Sequence, residues 1–256
     1  MPRILHLSDL HFGPGHRPEV AAEILRQVAD WRPDLVVISG DFTLRAKRAQ
    51  FLAAKSFLAA LAPLPWVGVP GNHDVPLYRF WERIAAPTGQ YRRQLGEPGE
   101  SFGEIGGIEV LRLNTTSPLL RLVEGRWRGR PALLEFPAKR PGALRIAVAH
   151  HPAESSAAGL LAARRLADAG FDALLVGHRH RAEQLNLGER IGAGRSLWQF
   201  QAGTATSHRG RGAEKGLNSL QLLDFGPTEI TATVFRYSPQ DVAFIEFAKT
   251  THSRVT

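Results

Sequence analysis

Short runs of apolar residues alternate along the chain with stretches in which apolar positions recur every three or four residues. Ile4 to Leu7, Leu35 to Ile38, Trp66 to Val69, Ile108 to Leu113, Leu144 to Ala149 and Ala173 to Val176 are runs of four to six residues. That is the length and make-up of strands buried on both faces. Pro18 to Trp31 carries Val20, Ile24, Val28 and Trp31 at helical spacing, and Pro33 closes it. Arg48 to Leu61 and Leu160 to Asp168 read as further helices, Leu77 to Ile84 as a shorter one, and 85–105 and 114–142 as irregular chain. Such alternation predicts an α/β fold with helices laid over the sheets. After His180 the pattern changes to consecutive strands: Leu197 to Gln201, Ser219 to Phe225, Ile230 to Tyr237 and Val242 to Phe247, with turns at Gly226-Pro227 and Ser238-Pro239. No linker sets them apart. The expectation is one domain over 1–256, with 181–256 completing a second sheet.

The polar residues fall at the ends of these runs. The first strand runs into Asp9-Leu-His11, the second into Gly-Asp41, and the third into Gly-Asn72-His73-Asp74. Leu144 to Ala149 ends on His150-His151, and Ala173 to Val176 on Gly-His178-Arg-His180. Any one of these blocks alone also reads as a tight turn. Five in order, each directly after a buried strand, do not, because α/β sheets bind ligands outside the carboxyl ends of their strands. An Asp, Asn and His set without sulfur suits Zn, Mn, Fe or similar divalent ions. It holds more donors than one ion can use, which points to two.

Composition then narrows the partner. The chain has 256 residues, 43% hydrophobic and 22% charged, as an ordinary globular protein does. Thirty-two Lys and Arg against 24 Asp and Glu give a formal net charge of +8, which favours an anionic partner. The charge is concentrated. Residues 121–145 hold seven cations and two anions, and residues 190–215 hold five and one. Loops of this kind at the rim of a cleft attract phosphate, and Arg195, His208, Arg209 and Arg211 are the candidates for substrate contact. There is no cysteine, which excludes disulfides, thiolate metal sites and thiol nucleophiles. No apolar run approaches the length of a membrane span, and the N-terminus lacks a signal-peptide core. The expectation is a cytoplasmic protein without stable membrane insertion; the sequence leaves the oligomeric state open.

In order and content the five blocks resemble those of the calcineurin-like metallophosphoesterase superfamily. Ser-Asp-Leu-His-Phe-Gly (8–13), Val-Pro-Gly-Asn-His-Asp-Val-Pro (69–76) and Ala-Gly-Thr-Ala-Thr-Ser (202–207), with Asn218-Ser219 following, are similar to the bacterial branch that contains class III cyclic-nucleotide phosphodiesterases. The resemblance implies a four-layer αββα sandwich, two mixed β-sheets flanked by helices, holding two divalent ions (Mn, Fe, Zn or a mixed pair). It assigns Asp9, His11 and His180 to one ion, Asn72, His150 and His178 to the other, and Asp41 to both. His150 is chosen over His151 because the ligand comes directly off the strand. The implied chemistry is in-line attack on a phosphodiester by a hydroxide bridging the ions. His73 would stabilise the transition state or protonate the leaving oxygen, and Asp74 would orient the His73 imidazole.

The substrate expected is a small phosphoester, most simply a cyclic or other nucleotide-type phosphodiester. Three other readings share the site. A DNA nuclease would need room for a capping domain and a stacking platform, which the chain does not show. A nucleotide-lipid pyrophosphatase would need an apolar rim, for which Leu119, Leu120 and Leu122 are candidates. A non-catalytic scaffold fits poorly with a complete donor set.

Overall fold

The computed structural model describes residues 1–118, Trp127 and 136–254. Leu119, Leu120, Leu122 and all four basic residues of 121–135 lie outside the described residues.

Two six-stranded sheets face each other. The first contains β1 (Arg3–Leu7), β2 (Leu35–Ile38) and β3 (Trp66–Gly68), paired in parallel. The second contains β4 (Ser101–Ile105), β5 (Ile108–Arg112), β6 (Arg145–Val148), β7 (Ala173–Val176), β8 (Glu183–Asn186) and β9 (Trp198–Gln201). Its order is β4-β5-β6-β7-β9-β8, with β5, β6, β7 and β9 parallel. Strand side chains alternate between faces. Ile4, Leu35 and Val37 therefore meet Val110, Ile146, Val148 and Leu175 between the sheets. Leu5, Leu7, Val36 and Ile38 point the other way, under α1 (Pro18–Trp31) and α2 (Arg48–Ala60). Leu111, Ala147, Leu174 and Val176 take the outer face of the second sheet, under α5 (Ala157–Asp168). The layers are α, β, β, α.

Local signals explain most element ends. Pro18 occupies the first turn of α1, where its missing N–H costs nothing, and Arg32 closes the helix in the left-handed region at φ 49° before Pro33. The stretch read as irregular contains two elements the pattern hid, α4 (Gly89–Leu95) and β4, and the helix expected from Leu77 begins later, as α3 (Phe80–Ala85). β4 is half-exposed at a sheet edge and carries no apolar run to betray it.

The C-terminal strands require a correction. They do not all complete the second sheet. β9, together with the unforeseen β8, does so. β10 (Ser219–Phe225), β11 (Glu229–Ser238) and β12 (Ala243–Ser253) extend the first sheet beyond β1 instead. The reason is that β10 is apolar on both faces. Leu220 and Leu222 pack under the helices while Leu223 and Phe225 pack between the sheets, so it needs an interior position. Antiparallel pairing with β1 supplies one.

Candidate metal centre

All five ligand-bearing loops leave the carboxyl ends of β1, β2, β3, β6 and β7, and backbone pairing continues past the strand ends to tie them together. Asp9 N–H donates to Gly40 O at 3.1 Å, His11 N–H to Asp41 O at 2.9 Å, and Gly177 N–H to His150 O at 3.0 Å. Asp9, His11, Asp41, His178 and His180 all have φ between 49° and 73°, in the left-handed region that non-glycine residues seldom enter. Strain of this kind persists where the surrounding structure over-determines it. Here it turns each side chain back toward a common point.

Two of the block glycines are there for close approach. A Cβ on Gly71 would stand 2.1 Å from Asp41 Oδ1, and one on Gly177 would stand 1.8 Å from Ser8 Oγ and 2.7 Å from Asp9 Oδ2. Asp9 and Asp41 are themselves buried. Asp9 Oδ2 accepts from Ser8 Oγ at 2.7 Å and from His178 N–H at 3.0 Å, and Asp41 Oδ1 accepts from His73 N–H at 2.8 Å. Each carboxylate thus has one oxygen fixed by the backbone. The other oxygen, Asp9 Oδ1 or Asp41 Oδ2, is buried without a hydrogen bond among the described residues.

Imidazole nitrogens gather round those two free oxygens. Asp9 Oδ1 lies 2.9 Å from His180 Nε2 and 3.5 Å from His11 Nε2, and these two nitrogens are 3.2 Å apart. Asp41 Oδ2 lies 3.7 Å from His11 Nε2 and 3.4 Å from His150 Nε2. Asn72 Oδ1 completes a second group, 3.1 Å from His150 Nε2 and 3.0 Å from His178 Nδ1. Tautomers follow from the partners on the far side of two rings. His150 Nδ1–H donates to Ser39 O and His180 Nδ1–H to Arg209 O, both at 2.7 Å. A carbonyl only accepts, so in the neutral ring Nε2 carries the inward lone pair. Unpaired buried carboxylate oxygens facing imidazole lone pairs are costly alone and suited to a cation. The donor set fits divalent ions with N/O preference.

The electrostatics say the same. Burial opposes the Asp9 charge, but His180 and His11 outweigh it and hold the carboxyl well below its usual range. Burial likewise works against Asp41, yet His150, His73 and His11 lower it. Burial would lower His150, but the Asp41 carboxylate raises it to about 9. Burial pulls His11 and His178 down to about 4. His151 is buried beside His150 and His178, its Nδ1 2.8 Å from Thr115 Oγ1, and its carbonyl accepts from Trp127 Nε1–H at 2.6 Å. His150 touches Asp41 and Asn72; His151 stands close enough to His150 and His178 to belong to the same cluster.

A cleft of about 370 Å³ opens over the cluster, lined by Asp41, Asn72, His73, His178 and His180 together with Arg45, Arg209, Arg211, Leu44, Val75 and Leu77. Of the expected substrate residues, Arg209 and Arg211 are here. Arg195 is not, and lines a different cavity; His208 is exposed with Nδ1 2.9 Å from Gly15 O, outside the cleft lining. The loop after Gly203 turns back to the Asp9 segment, which places Arg209 and Arg211 inward but Arg195 at the far end of β9. Asp74 also departs from expectation. It does not orient the His73 ring, because its oxygens are taken by Phe42 N–H, Thr43 N–H, Thr43 Oγ1 and Gly71 N–H at 2.8–3.1 Å. It clamps the loop after Asp41 instead. The His73 ring is held by Nδ1–H donating to Leu44 O at 2.9 Å.

Several supports had no signal in the residue pattern, among them Ser39, Thr115 and Arg45. The 202–207 stretch did stand out, and its role is now physical. Thr204 Oγ1 donates to Asp9 O and Thr206 Oγ1 to Leu10 O, both at 2.7 Å, Ala205 N–H donates to Ser8 O at 2.9 Å, and Asn218 Nδ2–H donates to Ser207 O at 2.7 Å. These bonds brace the Asp9–His11 loop from behind.

Paired mixed sheets carrying an Asp, Asn and His cluster at one edge fit the class of metal-dependent phosphoester hydrolases. A family model described as calcineurin-like phosphoesterase matches residues 2–182, and the chain belongs to that family. Among curated proteins it is similar to a "UDP-2,3-diacylglucosamine pyrophosphatase LpxG" of Chlamydia muridarum, 39% identical over 77 residues. That match spans 30% of this chain and only 23% of the relative. Among solved structures it is similar to purple acid phosphatase PPD1 of yellow lupin, with a TM-score of 0.64, 14% identity, and 99% of this chain and 54% of the other covered. A dimetal phosphatase from Danio rerio gives a TM-score of 0.60 at 9% identity, with 99% of each chain covered. At these identities the two structures speak for the fold.

Proposed function

We propose that the chain hydrolyses a small phosphodiester with nucleotide-type groups, using two divalent ions (Mn, Fe, Zn or a mixed pair). The observation that carries this reading is Asp41 Oδ2, buried and unbonded between two donor groups, 3.7 Å from His11 Nε2 and 3.4 Å from His150 Nε2. Asp9, His11 and His180 would hold one ion, Asn72, His150 and His178 the other, and Asp41 both. When bound, the ions supply Lewis acidity toward phosphate oxygens and make water nucleophilic near neutral pH.

The chain's own groups do the rest. Ser39 O and Arg209 O fix the His150 and His180 rings. Arg45, Arg209 and Arg211 offer guanidinium donors for phosphate oxygens, while Leu44, Val75 and Leu77 give an organic group an apolar wall. With Nδ1–H committed to Leu44 O, His73 in its imidazolium form would have Nε2–H to donate to a phosphate oxygen or to the leaving oxygen.

A nucleotide-lipid pyrophosphatase is the second reading, and one observation favours it. Directly after Leu77 of the cleft, Tyr78, Phe80, Trp81 and Ile84 are 75%, 60%, 81% and 46% exposed, an apolar surface suited to an acyl chain. The likeness to the chlamydial pyrophosphatase supports the same reading. Both are tested by rates with Mn²⁺ on bis(p-nitrophenyl) phosphate, p-nitrophenyl phosphate, cyclic AMP, single-stranded DNA and a UDP-lipid. Preference for the diester and cyclic AMP supports the first reading. Cleavage of the UDP-lipid without cyclic AMP turnover selects the second, and inactivity on all five overturns both.

A further inference from the structure

The basic segments of the sequence part company in the fold. Arg209 and Arg211 reach the cleft, whereas Arg195 joins Lys139, Arg140 and Arg254 around a second cavity of about 760 Å³. Its apolar walls include Pro2 before β1, Leu144 before β6 and Phe225 at the end of β10. β10 runs antiparallel to β1, so all three mark the same edge of the sandwich. The ligand loops leave the opposite ends of β1 and β6, strands about 15 Å long.

Among the described residues, charge at this cavity is unbalanced. Asp172 is a buried carboxylate that holds two of the lining cations, Lys139 and Arg254, from behind. It accepts from Lys139 Nζ at 2.7 and 2.8 Å, from Arg254 Nε and Nη2 at 3.0 and 3.1 Å, and from Arg145 N–H at 2.9 Å. A carboxylate offers about four lone-pair sites, so these four donors already saturate it. Arg140 is engaged elsewhere, with Glu104 and Glu109. Arg195 is left over. Its Nη2 stands 3.9 Å from Asp172, and its Nε and Nη2 are buried without a hydrogen-bond partner among the described residues. Three cations share one saturated carboxylate. Burial holds the Lys139 ammonium below its usual value, and Arg254 and Arg195 add to burial against the pull of Asp172.

We propose that this cavity is a second binding site, at the pole opposite the metal cluster, for an organic phosphate of mononucleotide size. The phosphate would accept from Lys139 and from Arg195 where it lines the cavity, bringing negative charge to a wall that carries four cations, and the organic part would lie against Leu144, Phe225 and Pro227. Its volume is in the range of small-molecule sites, and an unpaired guanidinium is the group best shaped for phosphate oxygens. The inference does not depend on which phosphoester the metal cluster turns over.

AMP is a suitable probe, titrated calorimetrically into the metal-loaded chain, with amide hydrogen exchange to locate it. The expected result is slower exchange in 139–144 and 225–228, retained in an Arg209→Ala/Arg211→Ala variant. Arg195→Gln should weaken that binding at least about tenfold, the worth of one charged hydrogen bond. Lys139→Gln should weaken it as well, so the test stands even where one variant folds poorly. Unchanged affinity in both variants would overturn the proposal, as would protection confined to the cleft loops or lost in the cleft variant.

Discussion

Replacing His73 by alanine separates the chemistry of the site from its construction. The His73 backbone N–H, which fixes Asp41 Oδ1 at 2.8 Å, survives the substitution. What is lost is the imidazole: its hydrogen bond to Leu44 O at 2.9 Å and its edge-on contact with His11 at 4.8 Å. The ring is only half-buried. One net hydrogen bond is worth about 1 kcal/mol, so Tm should fall by about 2–4 °C. Metal content, measured by mass spectrometry of the purified protein, should match the wild type. Turnover should fall by about 10²–10⁴, the range for a lost general acid. The leaving group sharpens the test. p-Nitrophenolate departs without a proton, so bis(p-nitrophenyl) phosphate should suffer least and a diester with an alkyl leaving group most. His150→Ala, by contrast, removes a ring that faces both Asp41 and Asn72 and should lose metal and activity together. Equal metal loss in both variants would refute the assignment, and a turnover loss independent of the leaving group would place His73 on a phosphate oxygen and refute its role as general acid.

Gly177→Ala should overpack the Ser8–Asp9 contact, costing about 1–3 kcal/mol and lowering metal occupancy, which denaturant unfolding and metal analysis check together. Thr204→Val should strand the buried Asp9 carbonyl at about 1–3 kcal/mol, with metal affinity reduced though no ligand has changed. In the metal-free protein, burial would lower His150 but Asp41 raises it to about 9, above its unfolded value. That pair therefore stabilises fully below the ordinary histidine value near 6.5 and loses its contribution as pH rises through about 9. Metal binding must displace the same proton, so Mn²⁺ affinity should climb with pH between 6.5 and 9, with proton uptake by the buffer in calorimetry. A flat profile would contradict the ion-pair geometry.

What the sequence made legible was whatever the strand ends control. β2, β7, β10 and α1 carry buried runs or helical spacing bounded by Pro or Gly, and their limits could be read to the residue. The donor residues were legible for the same reason: each falls within about four residues of the end of a buried run, and parallel strands bring such groups to one edge. What was hidden depends on contacts between loops that no local pattern encodes. Asp74 sits beside His73 in sequence, yet its oxygens are claimed by the backbone of a loop about thirty residues away, so adjacency misled. Arg195 follows the last ligand block in sequence, but β8 and the short helix α6 (Leu187–Arg190) intervene and carry it to the other pole. Arg209 lies further along the chain and still reaches the cleft, because Thr204 and Thr206 pull its loop back onto Asp9 and Leu10. A basic residue near a motif is therefore a charge without an address until the bracing hydrogen bonds are known. At this site the bracing comes from buried hydroxyls, whose sequence signal is weak because Ser and Thr are equally common on the surface.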